Sequence, residues 1–346
     1  MLKLSKLAAA SVVSALVLGA QAFAQGTFVP VAEPADALSG ASALGINDKG
    51  EVAGSYLNED GLVAGFSGTI DGDYETYTFD GQWTQPRGIN NKGTVVGYYR
   101  DPFSGFFAGE FVRDKNGNFT TVTKDGDPTI GIFQGINEKD EFVGDYLNVD
   151  RVPARGAFRG EDGEWTADID LPFPTVRSSA RAINNQGDIV GWFISADDFS
   201  TQGFKIAKDG TVSVFVYPGS SATFAQGINA QGQISGTYRD NDGILHGFML
   251  DNDMTTWTSI DAPGAVTTQG WQINNLGQVV VSGSDGTKSI SFIYCSKNGG
   301  VCSGKDAVKA NTSQAIGQGA LSAPFTGNGN GPINPDDAPR KLGHQM

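Results

Sequence analysis

The sequence predicts an all-β fold, a six-bladed β-propeller of ~45-residue repeats, from three observations. An Ile-Asn pair recurs with its asparagine at Asn47, Asn90, Asn137, Asn184, Asn229 and Asn274, at spacings of 43, 47, 47, 45 and 45 residues. Each copy is followed, in the same order, by short alternating apolar runs broken by Asn, Asp and Gly, which are strand and hairpin signals. No stretch carries a helical period. A repeat of this length is too long for one solenoid coil, but suits four short strands and their turns.

Taken in order, the chain opens on a segment to be set aside from the fold. Residues 1–24 carry Lys3 and Lys6, an apolar run from Leu7 to Ala20 and a small-x-small stretch at Ala22-Phe23-Ala24, the pattern of a secretory signal peptide. The remaining chain is expected to be exported, to the periplasm or the medium. No later stretch approaches the 18 or so apolar residues of a membrane span, so no membrane insertion is expected.

The propeller is expected over residues 25–302. The first unit reads Glu51-Val52-Ala53-Gly54-Ser55-Tyr56, a polar turn, Val63-Ala64-Gly65-Phe66 and Tyr74-Glu75-Thr76-Tyr77. The next four keep this frame, with Val95-Val96-Gly97-Tyr98-Tyr99, Phe142-Val143-Gly144-Asp145-Tyr146, Ile189-Val190-Gly191-Trp192-Phe193 and Ile234-Ser235-Gly236-Thr237-Tyr238. The sixth departs at Val281, where the others have Gly, and lacks a last strand after Tyr294. The run Phe28-Val29-Pro30-Val31 at the other end of the chain supplies the missing piece. An N-terminal strand that closes the last blade removes two open sheet edges. Residues 303–346, rich in Gly, Asn, Ser, Pro and Ala, are expected to be a disordered tail.

Charge narrows the partners. The formal net charge is −14, and becomes −16 without Lys3 and Lys6; a field of that sign repels nucleic acid and anionic lipid. Cys295 and Cys302 are the chain's two cysteines, and export to an oxidising compartment makes them a disulfide pair. A zinc site would need partners that the two histidines, His246 and His344, do not place nearby in sequence.

The repeated Gly-Ile-Asn-x-x-Gly-x-Val-Val-Gly-x-Tyr, with its later Gly-Phe and Thr-x-Ile-Asp-x-Pro-Gly-Ala, resembles the bacterial HAF-type extracellular repeat family over roughly residues 27–294. The His-Ala-Phe of that family is replaced here by Ala64-Gly65-Phe66, Gln202-Gly203-Phe204 and His246-Gly247-Phe248. The resemblance implies an exported β-rich repeat protein and brings no catalytic residues with it.

The recurrent Asn, and the Gly three residues later, read as turn chemistry: the amide bonds its own backbone two residues on, and Gly takes the positive φ. His246 reads as an edge residue, because its slot holds Ala, Arg or Gln in other copies. Acidic turns at Asp60, Asp101, Asp150, Asp197 and Asp240, and the slightly calcium-loop-like Asp114-Lys115-Asn116-Gly117-Asn118 and Asp240-Asn241-Asp242-Gly243, read as hairpin tips without the full ligand spacing. Trp257 and Trp165 share a repeat slot and read as packing.

One slot varies as core positions do not. Two residues before each Ile stand Leu44, Arg87, Gln134, Arg181, Gln226 and Trp271. Equivalent positions of a closed ring converge on its axis, so Arg87, Gln134, Arg181, Gln226 and Trp271 are the candidate ligand-binding residues, a clamp for a carboxylate or for sugar hydroxyls, weighed against polar loop residues that merely face water. The expected function is an exported binding or scaffolding monomer that recognises a saccharide, a small anionic ligand or a protein, without cofactor or metal. The alternative is a secreted propeller lyase, lactonase or glycoside hydrolase.

Overall fold

Each Ile-Asn segment folds as a tight hairpin turn because one amide oxygen serves two backbone donors. In the first copy Asn47 Oδ1 accepts from the N–H groups of Lys49 and Glu51, both at 3.0 Å, while Gly50 takes φ +78°. The other five asparagines repeat the pattern. In the third copy Asp140 stands in place of Gly and holds φ +60°, a conformation that Asp tolerates better than most side chains.

The computed structural model describes residues 22–23, 26–124, 127–128, 131–146, 155–159, 165–166, 169, 171–296 and 308–309. Every element among them is a strand or a turn, and none is a helix. The turns join strands into antiparallel quartets. Ala37–Ile46, Glu51–Asn58, Val63–Thr69 and Tyr74–Tyr77 pair in sequence order, as do Trp83–Ile89, Val95–Arg100, Phe107–Arg113 and Phe119–Thr121. Gly131–Ile136, Phe142–Tyr146, Arg155–Arg159 and Trp165–Thr166 follow, then Thr175–Ile183, Ile189–Ser195, Thr201–Ile206 and Val212–Phe215. Ala222–Ile228, Ile234–Arg239, Leu245–Leu250 and Trp257–Ile260 form the next quartet. In the last, Thr267–Ile273, Gln278–Ser284 and Ser289–Ser296 take Gly26–Pro30 as their fourth strand, with Phe28 opposite Tyr294.

Among the described residues no sheet closes on itself; single parallel bridges join Thr201 to Ala222 and Ser289 to Gly40, and packing joins every quartet to the next. Ala53 packs with Ile89, Val95 and Phe111 of the second quartet, Val96 with Phe133 and Phe142 of the third, and Val143 with Ala180 and Ile183 of the fourth. Phe215 meets Phe248 and Trp257; Met249 and Ile260 meet Ile273, Val279 and Phe28; Val280 and Ile293 meet Val52 and Phe66. Such apolar burial between neighbours, at roughly 25 cal/mol per Å², is the main force that holds the array together.

The first strand of every quartet carries a β-bulge at one place. The register slips between Ala43 and Gly45, Pro86 and Gly88, Phe133 and Gly135, Ala180 and Ala182, Ala225 and Gly227, and Gly270 and Ile273. The residues skipped are Leu44, Arg87, Gln134, Arg181, Gln226 and Trp271, the last with Gln272. A bulge leaves its extra residue outside the ladder and re-aims its side chain.

The departure at Val281 also has a physical reason. Gly54, Gly144 and their equivalents sit where a Cβ would run into the facing strand's carbonyl, at Ser42 O and Ile132 O in those two copies. In the sixth quartet Val281 lies opposite Gly270, so the small residue has moved to the facing strand.

Two short pairings fall within the segments that the sequence sets apart from the propeller. Ala22–Phe23, inside the expected signal segment, pairs in parallel with Thr258 and Ser259. Val308–Lys309, inside the expected disordered tail, pairs with Phe28 and Thr27 on the outer edge of the N-terminal strand, where unpaired backbone groups are on offer. The other residues of both segments lie outside the described residues. Cys295 is buried at the end of its strand; Cys302 lies outside the described residues, and so does its expected pairing with Cys295.

Candidate functional site

The six recurrent asparagines meet at one end of the array. Asn47 Nδ2 donates to Asn90 O, Asn90 to Asn137 O, Asn137 to Asn184 O, Asn184 to Asn229 O, and Asn229 to Asn274 O, at 3.1–3.2 Å. Asn274 Nδ2 then donates to Asn47 O at 3.0 Å, so the series returns to its first member. Inside it lies a polar funnel of about 60 Å³, lined among others by Asp48, Glu138 and Gln272. Burial holds the Glu138 carboxyl above its ordinary value, against the hydrogen bond from Asn91 N–H and with help from the Asp48 charge. Beneath the ring Gln272 reaches across from the sixth quartet and donates to Gln134 O of the third at 2.9 Å.

The candidate residues of the variable slot lie one layer further in, and all are buried. Arg87 is 3 % exposed, Gln134 5 %, Arg181 2 %, Gln226 4 % and Trp271 4 %. They are therefore not loop residues facing water; the bulge turns them into the interior. Four of them face a second variable residue on the next strand, eleven positions on. Arg87 Nη2 donates to Tyr98 Oη at 3.2 Å, the Arg181 guanidinium lies 5.5 Å from the Trp192 ring, and Trp271 Nε1 donates to Ser282 Oγ at 2.6 Å. Gln134 sits beside Asp145.

Four of the five residues come together. Arg87 lies 5.5 Å from the Trp271 ring although their quartets are not neighbours, and the Arg87 and Asp145 charges both act on Arg181. Gln226 is buried at its own place in the layer and shares none of these contacts, and Leu44 joins the apolar cluster of Val52, Phe66 and Trp271.

Sequence reasoning missed the partner residues Tyr98, Asp145 and Trp192, together with Arg100 and Arg177. Arg100 stacks 5.4 Å from the Tyr98 ring and Arg177 lies 5.6 Å from the Trp192 ring. The signal was present: the middle residue of Gly-x-Tyr reads Ser55, Tyr98, Asp145, Thr237 while its neighbours hardly change.

The electrostatics of this buried layer are those of crowded cations. Burial lowers the Arg181 guanidinium to about 10, with Asp145 opposing and Arg87 and Arg177 adding to the fall. Burial also pushes the Asp145 carboxyl up, and the Arg181 and Arg177 charges and the hydrogen bond from Ser179 offset it only in part. Burial would raise the Tyr98 hydroxyl too, but Arg87 and Arg100 outweigh it and the net shift is downward. Arg181 Nε and Nη2, Trp192 Nε1 and Asp145 Oδ1 have no hydrogen-bond partner among the described residues. A buried polar group in that state calls for a ligand or solvent to satisfy it.

The other sequence candidates resolve into structure. Asp114 Oδ1 accepts from the N–H groups of Asn116 and Asn118, an ordinary turn. Trp257 packs with Phe215 and Phe248, while the Trp165 side chain lies outside the described residues. His246 lies between two carboxylates, with Nδ1 2.6 Å from Asp261 and Nε2 3.2 Å from Asp240. Burial alone would lower its pKa; the hydrogen bonds and charges of Asp261, then Asp240, outweigh that and raise it. A raised folded-state pKa gives stability that is fully present below the ordinary histidine value and is lost as pH rises through the folded value. The wild type is thus expected to lose Tm relative to His246→Gln as pH is taken from 5 to 8, in parallel thermal melts; equal pH profiles for the two chains would show that His246 has no such role.

No family model matches the chain, and no curated protein matches it. Among solved structures it is similar to TolB from Acinetobacter baumannii, at 12 % identity and a TM-score of 0.51 over 72 % of this chain and 64 % of that one. It is also similar to a TolB from Agrobacterium tumefaciens, at 11 % identity and a TM-score of 0.51 over 78 % of this chain and 98 % of that one. These neighbours are β-propellers, and at such identity the likeness shows the fold alone: this is an all-β chain of propeller type.

Proposed function

We propose that the chain is an exported six-bladed β-propeller of the HAF-type repeat kind that binds a small anionic ligand in its axial chamber. Six quartets, a hydrogen-bond series that returns from Asn274 to Asn47, and apolar clusters joining each quartet to the next, the sixth to the first included, support the blade count and closure. Gly26–Pro30 acts as the closing strand.

The observation that carries the binding reading is Arg181. It is a buried guanidinium lowered by desolvation, repelled by Arg87 and Arg177, attracted by Asp145, and left with two donors unsatisfied. Burying charge without full compensation is costly, and an anion held there removes the cost through charge-assisted bonds. The acidic net charge slows an anion's approach, while the local field of the buried guanidinium governs its affinity once bound.

The test is calorimetric titration of the purified chain with glucuronate, acetate and sulfate. The Arg87→Ala/Arg181→Ala double variant is expected to lose about 2 kcal/mol or more of binding free energy, with its circular dichroism unchanged. Equal binding of all three anions by the folded double variant would remove the chamber as their site.

A further inference from the structure

We propose that the face opposite the asparagine ring is a docking surface for a basic amphipathic polypeptide segment of a partner protein. The segment's apolar side chains cover the exposed phenylalanines of this face, and its Lys and Arg answer the carboxylates around them. The proposal is independent of the anion reading of the buried layer.

Strand direction defines the face. In every quartet the first strand runs towards its Ile-Asn turn and the second runs away from it. The hairpin tips between second and third strands therefore stand at the far end, with the connections that lead into each next first strand. Nine large apolar side chains are exposed among the described residues, and of these only Leu276 belongs to the asparagine end. At the far tips Phe103 is 98 % and Phe199 72 % exposed, with Phe106 and Ile244 exposed beside them in sequence and on a further tip. Leu38 and Val266 are exposed where first strands begin. The tip of the third quartet, with Asp150, lies outside the described residues. A protein surface ordinarily scatters such side chains, and their gathering at one end marks an interaction site.

The tips hold their aromatic residues in place before any partner arrives. Asp101 Oδ1 accepts from the N–H groups of Phe103 and Ser104 and from Ser104 Oγ. Phe199 holds φ +58°, an unfavourable conformation for an aromatic residue, while its N–H donates to Ser195 O at 3.1 Å and Ser200 N–H donates to Asp198 Oδ1 at 3.0 Å. Aromatic anchors that are already ordered lose little entropy on binding, which suits them to the centre of an interface.

Charge selects the partner. Tips 59–62, 101–106, 196–200, 240–244 and 285–288 carry eight carboxylates and one ammonium, that of Lys288, which donates to Glu33 at 2.5 Å. The turns of the asparagine end hold Lys49, Lys92, Lys115, Lys139 and Lys208, a supply of cations without counterpart on these tips. A second copy presenting the same face sets eight carboxylates against eight, and an anionic lipid surface is repelled in the same way. A basic amphipathic segment is attracted by the acidic groups and covers the apolar ones.

The experiment is fluorescence anisotropy of three labelled peptides of about 18 residues, or five helical turns, titrated with the full chain. One is an amphipathic Leu/Lys peptide, one its Leu/Glu counterpart, and one oligolysine. The Leu/Lys peptide is expected to bind ten-fold or more tighter than oligolysine, and the Leu/Glu peptide to show no measurable binding. Phe103→Ser/Phe199→Gly is expected to weaken the Leu/Lys peptide about ten-fold with Tm unchanged or raised, since both side chains are exposed and Gly accepts φ +58°. Asp197→Asn/Asp242→Asn is expected to weaken it several-fold at low salt and not at about 0.5 M salt, while Leu276→Ser, at the other end, changes nothing. Equal affinity of the phenylalanine variant and the wild type overturns the proposal, as does binding of the Leu/Glu peptide as tight as that of Leu/Lys. The proposal also falls if the chain binds zwitterionic lipid vesicles and no peptide, or if light scattering shows self-association that the phenylalanine variant abolishes, because the face then serves a membrane or a second copy.

Discussion

A chain lacking Gly26–Pro30 is expected to lose about 5 kcal/mol or more of stability, enough to leave a domain of ordinary stability largely unfolded at 37 °C. The strand contributes far more than a covered edge. Phe28 is fully buried among Met249, Ile260, Ile273, Val281 and Tyr294, with its ring 5.3 Å from that of Tyr294, and Val29 is 5 % exposed. Truncating one buried Phe costs about 3–5 kcal/mol by itself. Removing the strand also strips Ser289–Ser296 of the ladder partner at five register positions, and it exposes an apolar edge that invites association. Urea denaturation followed by tryptophan fluorescence, with size exclusion to detect association, checks the result. A melting temperature and denaturation midpoint equal to those of the full chain would show that this strand does not close the array.

Turn chemistry made the fold legible in sequence. Asn47 Oδ1 bonds donors two and four residues away, so the pattern that encodes it lies within five letters and recurs six times. The alternation of the strands is equally local. The second use of the same residues was not legible: Asn47 Nδ2 reaches Asn90 O in the next repeat, and no local pattern announces a bond across 43 positions. The candidate site was legible by half. The slot of Arg87, Gln134, Arg181 and Trp271 stood out because it varied inside a constant frame, but the bulge that turns it inward is a property of backbone pairing and leaves only a faint trace in composition. Its counterparts Tyr98, Asp145 and Trp192 varied just as visibly. Treating Gly-x-Tyr as a strand of alternating faces would have placed its middle residue against the slot eleven positions earlier.

The second large effect concerns the asparagine series, and adjacent residues are expected to respond with opposite signs. Asn229 is 2 % exposed; its Oδ1 accepts from Gln231 and Gln233 N–H, and its Nδ2 donates to Gln233 Oε1 and to Asn274 O. Asn229→Ala strips the turn of its anchor and leaves Asn274 O bare in a buried place, so a loss of about 2–3 kcal/mol is expected. The neighbouring position behaves differently because the wild type is incomplete there. Asp48 N–H is accepted by Asn91 Oδ1, Asn91 N–H by Glu138, Glu138 N–H by Asn185 Oδ1, Ala230 N–H by Asn275 Oδ1, and Asn275 N–H by Asp48. Asn185 N–H would be answered by residue 230, which is alanine and has no acceptor. Ala230→Asn restores the side chain found at the equivalent Asn91, Asn185 and Asn275, and is expected to add about 0.5–1 kcal/mol, the net worth of one such bond. Urea midpoints of the two variants against the wild type decide the matter. If Asn229→Ala costs little and Ala230→Asn adds nothing, the bonds that run from one quartet to the next are incidental to stability, and apolar packing between quartets holds the array together without them.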